Sequence, residues 1–153
     1  MLIYPMKIAL EEAKYAAKKQ EVPIGAVILY KNEIVARASN NTRGNYDPTN
    51  HAEIVAIRQA CKKLKKERLN ECDLYVTLEP CAMCAAAISF ARIRRLYYAV
   101  SDPKGGAVES GIRFFNQSTC HHRPEVYPGL GEQESKKLLK NFFQTKRNLT
   151  PNA

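Results

Sequence analysis

The chain has 153 residues, 45% apolar and 25% charged, the balance of a soluble globular protein long enough to bury a core. No apolar run reaches the length of a membrane span, and the first ten residues lack a basic stretch before Glu11-Glu12, so neither a spanning helix nor a signal peptide is expected. A net charge of +9 suits a polyanion partner, nucleic acid foremost, and five cysteines with one Cys-x-x-Cys pair suit metal binding in a reducing cytoplasm better than a disulfide framework.

Met6 to Lys19 reads as an amphipathic helix, with Met6, Leu10, Ala13 and Ala17 on one stripe and Pro5 suited to its first turn. Residues 25–30 and 33–37 read as strands joined by a tight hairpin at Lys31-Asn32. Asn40 to Pro48 is polar and rich in turn formers, hence a loop. A helix starts near His51 and carries Ile54, Ile57, Cys61 and Leu64 at helical spacing. Residues 73–78 form a strand, after which Pro80, at the first helical position, opens an alanine-rich helix to about Arg92. Residues 96–100 form another strand. Ser101 to Pro128 reads as loop, broken by a short helix near Ile112 to Phe115. Beyond Gly129-Leu130-Gly131, Leu138, Leu139, Phe142 and Phe143 mark a final helix with a basic outer face. Helices following strands predict an α/β layered fold with a mixed sheet, in one domain without repeats or linkers. Lysine and arginine cluster at 62–68, 92–95 and 136–147.

Chemistry concentrates in His51-Ala52-Glu53 and Pro80-Cys81-Ala82-Met83-Cys84. Cys81 and Cys84, three residues apart at a helix start, turn their sulfurs the same way, and the helix N-terminus favours thiolates. With His51 they make three ligands, the number of a catalytic zinc site that keeps one position open. Two thiolates neutralise Zn2+, so its water needs a carboxylate base, for which Glu53 is the candidate. His51 and Glu53 converge only if they lie in an irregular first turn, since i and i+2 diverge on a regular helix. Glu53 also has a structural reading, as the third helical residue of a capping box with Asn50 as N-cap. Cys-x-x-Cys alone is equally compatible with redox chemistry or structural zinc, and Cys72 is a competing fourth ligand. Cys61 reads as core, Cys120-His121-His122 as an ordinary loop, and Glu79 as a carboxylate at a helix start.

The two motifs match the His-x-Glu and Pro-Cys-x-x-Cys signature of zinc nucleobase deaminases. Together with Glu21-Val-Pro-Ile-Gly-Ala-Val27, Asp47-Pro-Thr-Asn-His-Ala-Glu53, Leu74-Tyr-Val-Thr-Leu-Glu-Pro-Cys-Ala-Met-Cys84, Asp102-Pro-Lys-Gly-Gly-Ala107 and the Phe142-Phe143 to Lys146-Arg147 ending, they make nearly the whole chain resemble the bacterial tRNA-specific adenosine deaminases of the TadA type. The departures are mild, such as Ala86 where many relatives have Gly. The resemblance implies a three-layer α/β/α cytidine deaminase-like fold with a central mixed sheet of about five strands, forming a single deaminase domain over residues 1–153. It implies hydrolytic deamination of adenosine to inosine at the wobble position of a tRNA anticodon arm, by zinc-activated water with Glu53 as proton shuttle. His51, Cys81 and Cys84 would ligate Zn2+, with no organic cofactor. Asn40 would bind the base, Pro23, Ile24 and Ala52 would wall its pocket, and Asp102, Pro103 and Lys104 would lie near the flipped anticodon. A cytoplasmic homodimer is implied as well. The rival is a deaminase of a free base or nucleoside (guanine, cytosine or cytidine), whose zinc motifs are similar.

Overall fold

The structure is a computed structural model and describes residues 4–149. In chain order it comprises α1 (Tyr4–Lys18), β1 (Gly25–Tyr30), β2 (Glu33–Ser39), α2 (Ala52–Leu64), β3 (Cys72–Leu78), α3 (Ala82–Phe90), β4 (Arg95–Val100), a 3-10 turn (Phe114–Asn116), β5 (Glu125–Pro128) and α4 (Glu132–Leu149). The strands form one mixed sheet in the order β2-β1-β3-β4-β5. β1 pairs antiparallel with β2 and β3, while β3–β4 and β4–β5 are parallel. Lys31 and Asn32 both adopt positive φ, 50° and 66°, as the tight turn between β1 and β2 requires.

Strand alternation divides the molecule into two cores. Ala26, Ile28, Leu74, Val76, Leu96 and Tyr98 face α2 and α3. Val27, Tyr75 and Ala99 face α1, where Met6, Ala9 and Leu10 cover them. With α4 packed on β4 and on α1 this second layer is complete, and the sheet lies between helices as a three-layer α/β/α fold. Gly25 sets how closely α1 approaches. A Cβ there would lie 1.9 Å from the Ala9 carbonyl oxygen and 2.7 Å from the Ala13 nitrogen, so only glycine allows this contact.

Several expectations need correction. The buried stripe of α2 is Ala52, Glu53, Ala56 and Ala60; Ile57, Cys61 and Leu64 only flank the core, because small residues let the helix sit flat on the sheet. α3 starts at Ala82 with Cys81 as N-cap, so Pro80 precedes the helix rather than occupying its first position, and the helix ends at Phe90, short of Arg92. The 101–128 segment is not all loop, since Glu125–Pro128 adds β5 at the sheet edge. That strand is four residues long and mostly exposed, so it lacks the apolar alternation that marks a strand. Its anchor is aromatic. Tyr127 stacks on Tyr97 at 4.9 Å, and Tyr97 on Tyr75 at 4.3 Å, across three neighbouring strands.

Candidate active site

β3 ends at Leu78, and the turn that follows brings the N-termini of α2 and α3 side by side above the strand ends. His51 is the N-cap of α2, with extended backbone (φ −71°, ψ 155°), and Cys81 is the N-cap of α3. The extended conformation at His51 resolves the i, i+2 problem, because its ring does not follow helical spacing. Nδ1 of His51 stands 3.6 Å from Cys81 Sγ and 3.5 Å from Cys84 Sγ. Ligand atoms of these three residues all lie within 4.8 Å of one another, close enough to hold a single metal ion. Among the described residues no other cluster of this kind occurs.

Charges are already polarised for metal binding. A hydrogen bond from Cys84, aided by His51, pulls the Cys81 thiol down to about 4 despite burial. Cys84, which donates that bond and is buried beside Glu53, is pushed upward. The His51 imidazole is raised chiefly by its hydrogen bond to Cys81. An ion that takes both sulfurs displaces any proton they hold.

Glu53 is buried at 4% exposure on the second residue of α2. Burial pushes its carboxyl up to about 7, and the Cys81 thiolate adds to the effect. Its Oε1 has no hydrogen-bond partner, nor has the buried Oδ1 of Asn40. The capping box does not form: His51 rather than Asn50 is the N-cap, no side chain caps the helix, and the Asn50 amide instead donates to the Asn41 carbonyl at 3.2 Å. Nor does Cys72 join the cluster. It begins β3 opposite Tyr30, buried in the core, where burial pushes its thiol up to about 11. Cys120 and His122 are tied to Ser89 and to the Ile93 carbonyl, as an ordinary loop would be.

Glu53 and Asn40 open onto a cavity of about 340 Å³ shared with Ile24, His51, Cys81 and Asp102. This size falls in the ~300–1,000 Å³ range of small-molecule sites. Pro23 and Ala52 are buried but do not line the cavity, and Pro103 and Lys104 stand outside it. Asp102 turns its carboxylate back on its own loop, accepting the Lys104 and Gly105 N–H groups. A wider groove of about 850 Å³ continues from the same edge, sharing Val22, Leu78 and Asp102. Lys104, Lys136, Lys140, Lys146, Arg147 and the exposed ring of Phe143 line it. The sequence places a basic face on the last helix, but not its position along the rim of the cavity.

A family model for MafB19-like deaminases matches residues 4–147. The tRNA-specific adenosine deaminase of Agrobacterium fabrum is 62% identical over 142 residues, covering 93% of each chain. The chain belongs to the tRNA-specific adenosine deaminase family. A solved structure from work on A-to-I editing by tRNA:A34 deaminases at the wobble position of transfer RNA shares 62% identity and superposes with a TM-score of 0.88, over 89% of this chain and 99% of that one. The guanine deaminase of Bacillus subtilis is more distant, at 34% identity and a TM-score of 0.63 over 94% of this chain and 92% of that one. Members of this deaminase family are hydrolytic enzymes, and the His/Cys/Cys cluster gives this enzyme a place for a metal ion.

Proposed function

We propose that this protein hydrolyses adenosine to inosine at the wobble position of a tRNA anticodon, as one zinc-dependent domain acting in the cytoplasm as a homodimer. The observation that carries the reading is that, of three buried, unpartnered side-chain oxygens among the described residues, two, Glu53 Oε1 and Asn40 Oδ1, belong to residues lining the cavity beside the His51, Cys81 and Cys84 cluster, the third being Asn41 Oδ1. Buried polar atoms normally have partners, so these two await atoms from outside the chain. The donor set fits zinc, since two soft sulfurs and an imidazole converge beside the cavity. Zinc held there would supply an acidified water as nucleophile.

The remaining steps belong to the side chains. Glu53 Oε1 accepts the proton that the attacking water gives up and passes it to the purine ring nitrogen. The same oxygen takes the second proton and delivers it to the departing amine, so water supplies the inosine oxygen and ammonia leaves. Burial, which raises the proton affinity of Glu53 toward neutrality, suits one group to both duties. Asn40 orients the base through its amide. Lys104, Lys136 and Lys140 along the groove favour a substrate with phosphates, and Phe143 offers a ring for a neighbouring base. A free-base deaminase would use the cavity and leave this groove without a role.

Glu53→Gln tests the mechanism on an anticodon stem-loop with a wobble adenosine. The amide preserves shape, so zinc content and Tm should hold while inosine formation falls at least ~10²-fold. Turnover near the wild-type rate would overturn the assignment of Glu53.

A further inference from the structure

Glu79 is not the helix-start carboxylate the sequence suggests: it lies two residues before the N-cap of α3 and turns its carboxylate to the 102–110 loop. The side chain is 2% exposed and lies between the last residue of β3 and Pro80, two residues before Cys81. Its carboxylate is fully occupied. Oε1 accepts the Asp102 N–H and the Ser110 hydroxyl, each at 2.9 Å. Oε2 accepts the N–H groups of Val108, Glu109 and Ser110 at 3.0, 2.9 and 2.9 Å. Burial alone would raise its pKa, but the bonds from Asp102, Ser110 and Val108 outweigh burial and hold it below the ordinary carboxylate value. The 102–110 loop therefore wraps around one buried charge. Gly106 allows the wrap, because a Cβ there would sit 2.5 Å from Glu79 Cδ and 2.6 Å from the Asp102 carbonyl oxygen. Backbone bonds add to the seam: the Ala107 N–H donates to the Pro80 carbonyl and the Glu79 N–H to the Val100 carbonyl, both at 2.9 Å.

One side chain thus joins the turn that carries Cys81 to the loop that supplies Asp102 and Gly105 to the cavity and Lys104 to the groove. We infer that Glu79 is a positioning residue for RNA capture: by anchoring the Asp102 end of the loop, it sets where the nucleotides beside the target base meet the protein relative to the metal cluster. This inference rests on the RNA reading above.

Glu79→Gln is informative because an amide has one acceptor atom. Its oxygen can serve the three N–H groups at Val108 to Ser110, but its NH2 group then faces the Asp102 N–H, donor against donor. The substitution should release the Asp102 end and retain the 108–110 end. The expected result is KM for the stem-loop raised about tenfold, the loss of one charge-assisted bond, with kcat changed less than about threefold and one zinc per chain retained. Hydrogen exchange should show the Asp102 amide losing protection while the Val108 to Ser110 amides keep theirs. An unchanged KM, or a fall in kcat with KM unmoved, would overturn the inference. If Glu79→Gln does not fold, Ser110→Ala removes one of the two donors to Oε1 and should still raise KM about twofold to threefold; no rise would overturn it. The wild-type protein is the control. Its failure to form inosine in RNA would refute the RNA reading itself, and Asp102 protection would then judge the anchor separately.

Discussion

Two buried carboxylates flank the cavity and use their oxygens in opposite ways. All of Glu79's acceptor capacity is directed at the 102–110 loop, so it cannot also carry protons. Glu53 leaves Oε1 without a protein donor, which is unfavourable in isolation and useful only if something else approaches that atom. The cysteines divide similarly, with Cys81 and Cys84 in the cluster and Cys72 in the core. Cys72→Ser should therefore leave metal content and turnover unchanged and cost at most ~1–3 kcal/mol in stability, from a hydroxyl in an apolar site. Loss of zinc on that change, measured by metal analysis of purified protein, would restore the four-ligand alternative. The cluster itself was legible in the sequence, because ligand chemistry restricts residue type and spacing. The role of Glu79 was not, since four of its five partners are backbone N–H groups 23 to 31 positions away, which carry no side-chain signature. The extended backbone at His51 could be anticipated only as a condition for convergence, and it is met.

Element boundaries carry the geometry of the site. Shifting the α3 start from Pro80 to Ala82 makes Cys81 an N-cap, and a shift of one residue in α2 puts His51 at the cap and Glu53 in the first turn. Asn50 and Pro80 are each good helix-start residues, so composition alone points one residue early in α2 and two in α3. β5 escaped recognition for a different reason: its pairing partner β4 and its tyrosine stack are tertiary, and an exposed edge strand needs no apolar alternation. Elsewhere strand alternation and helical periodicity identified β1 to β4 and α1 closely. The α1–β1 contact gives a test at this scale. Gly25→Val should lower stability by ~1–3 kcal/mol or more, seen as a fall in Tm, because its Cβ meets the Ala9 carbonyl. An unchanged Tm would mean that α1 does not approach β1 as described. For α4, replacing Lys136 and Lys140 together by Ala should weaken stem-loop binding and reduce the slope of log affinity against log salt by roughly 1.4 to 1.8 units, with zinc content unaffected. An unaltered slope would remove the groove from the RNA path.

At the scale of the whole molecule, a net charge of +9 and a cationic groove continuous with a small cavity describe a protein that holds a polyanion while reacting with one unit of it. The cavity accounts for a single base, and the groove for what the base is attached to. An anticodon loop meets both needs, because its unpaired nucleotides can be splayed out at low cost. Among the described residues no helix is long and apolar enough to cross a membrane. The most direct test offers zinc-loaded protein an anticodon stem-loop with a wobble adenosine alongside free adenosine, adenine, guanine and cytosine, over a range of salt concentrations. Inosine should form in the RNA alone, at a rate that falls steeply as salt rises. Product from a free base or nucleoside only, or a rate indifferent to salt, would contradict it.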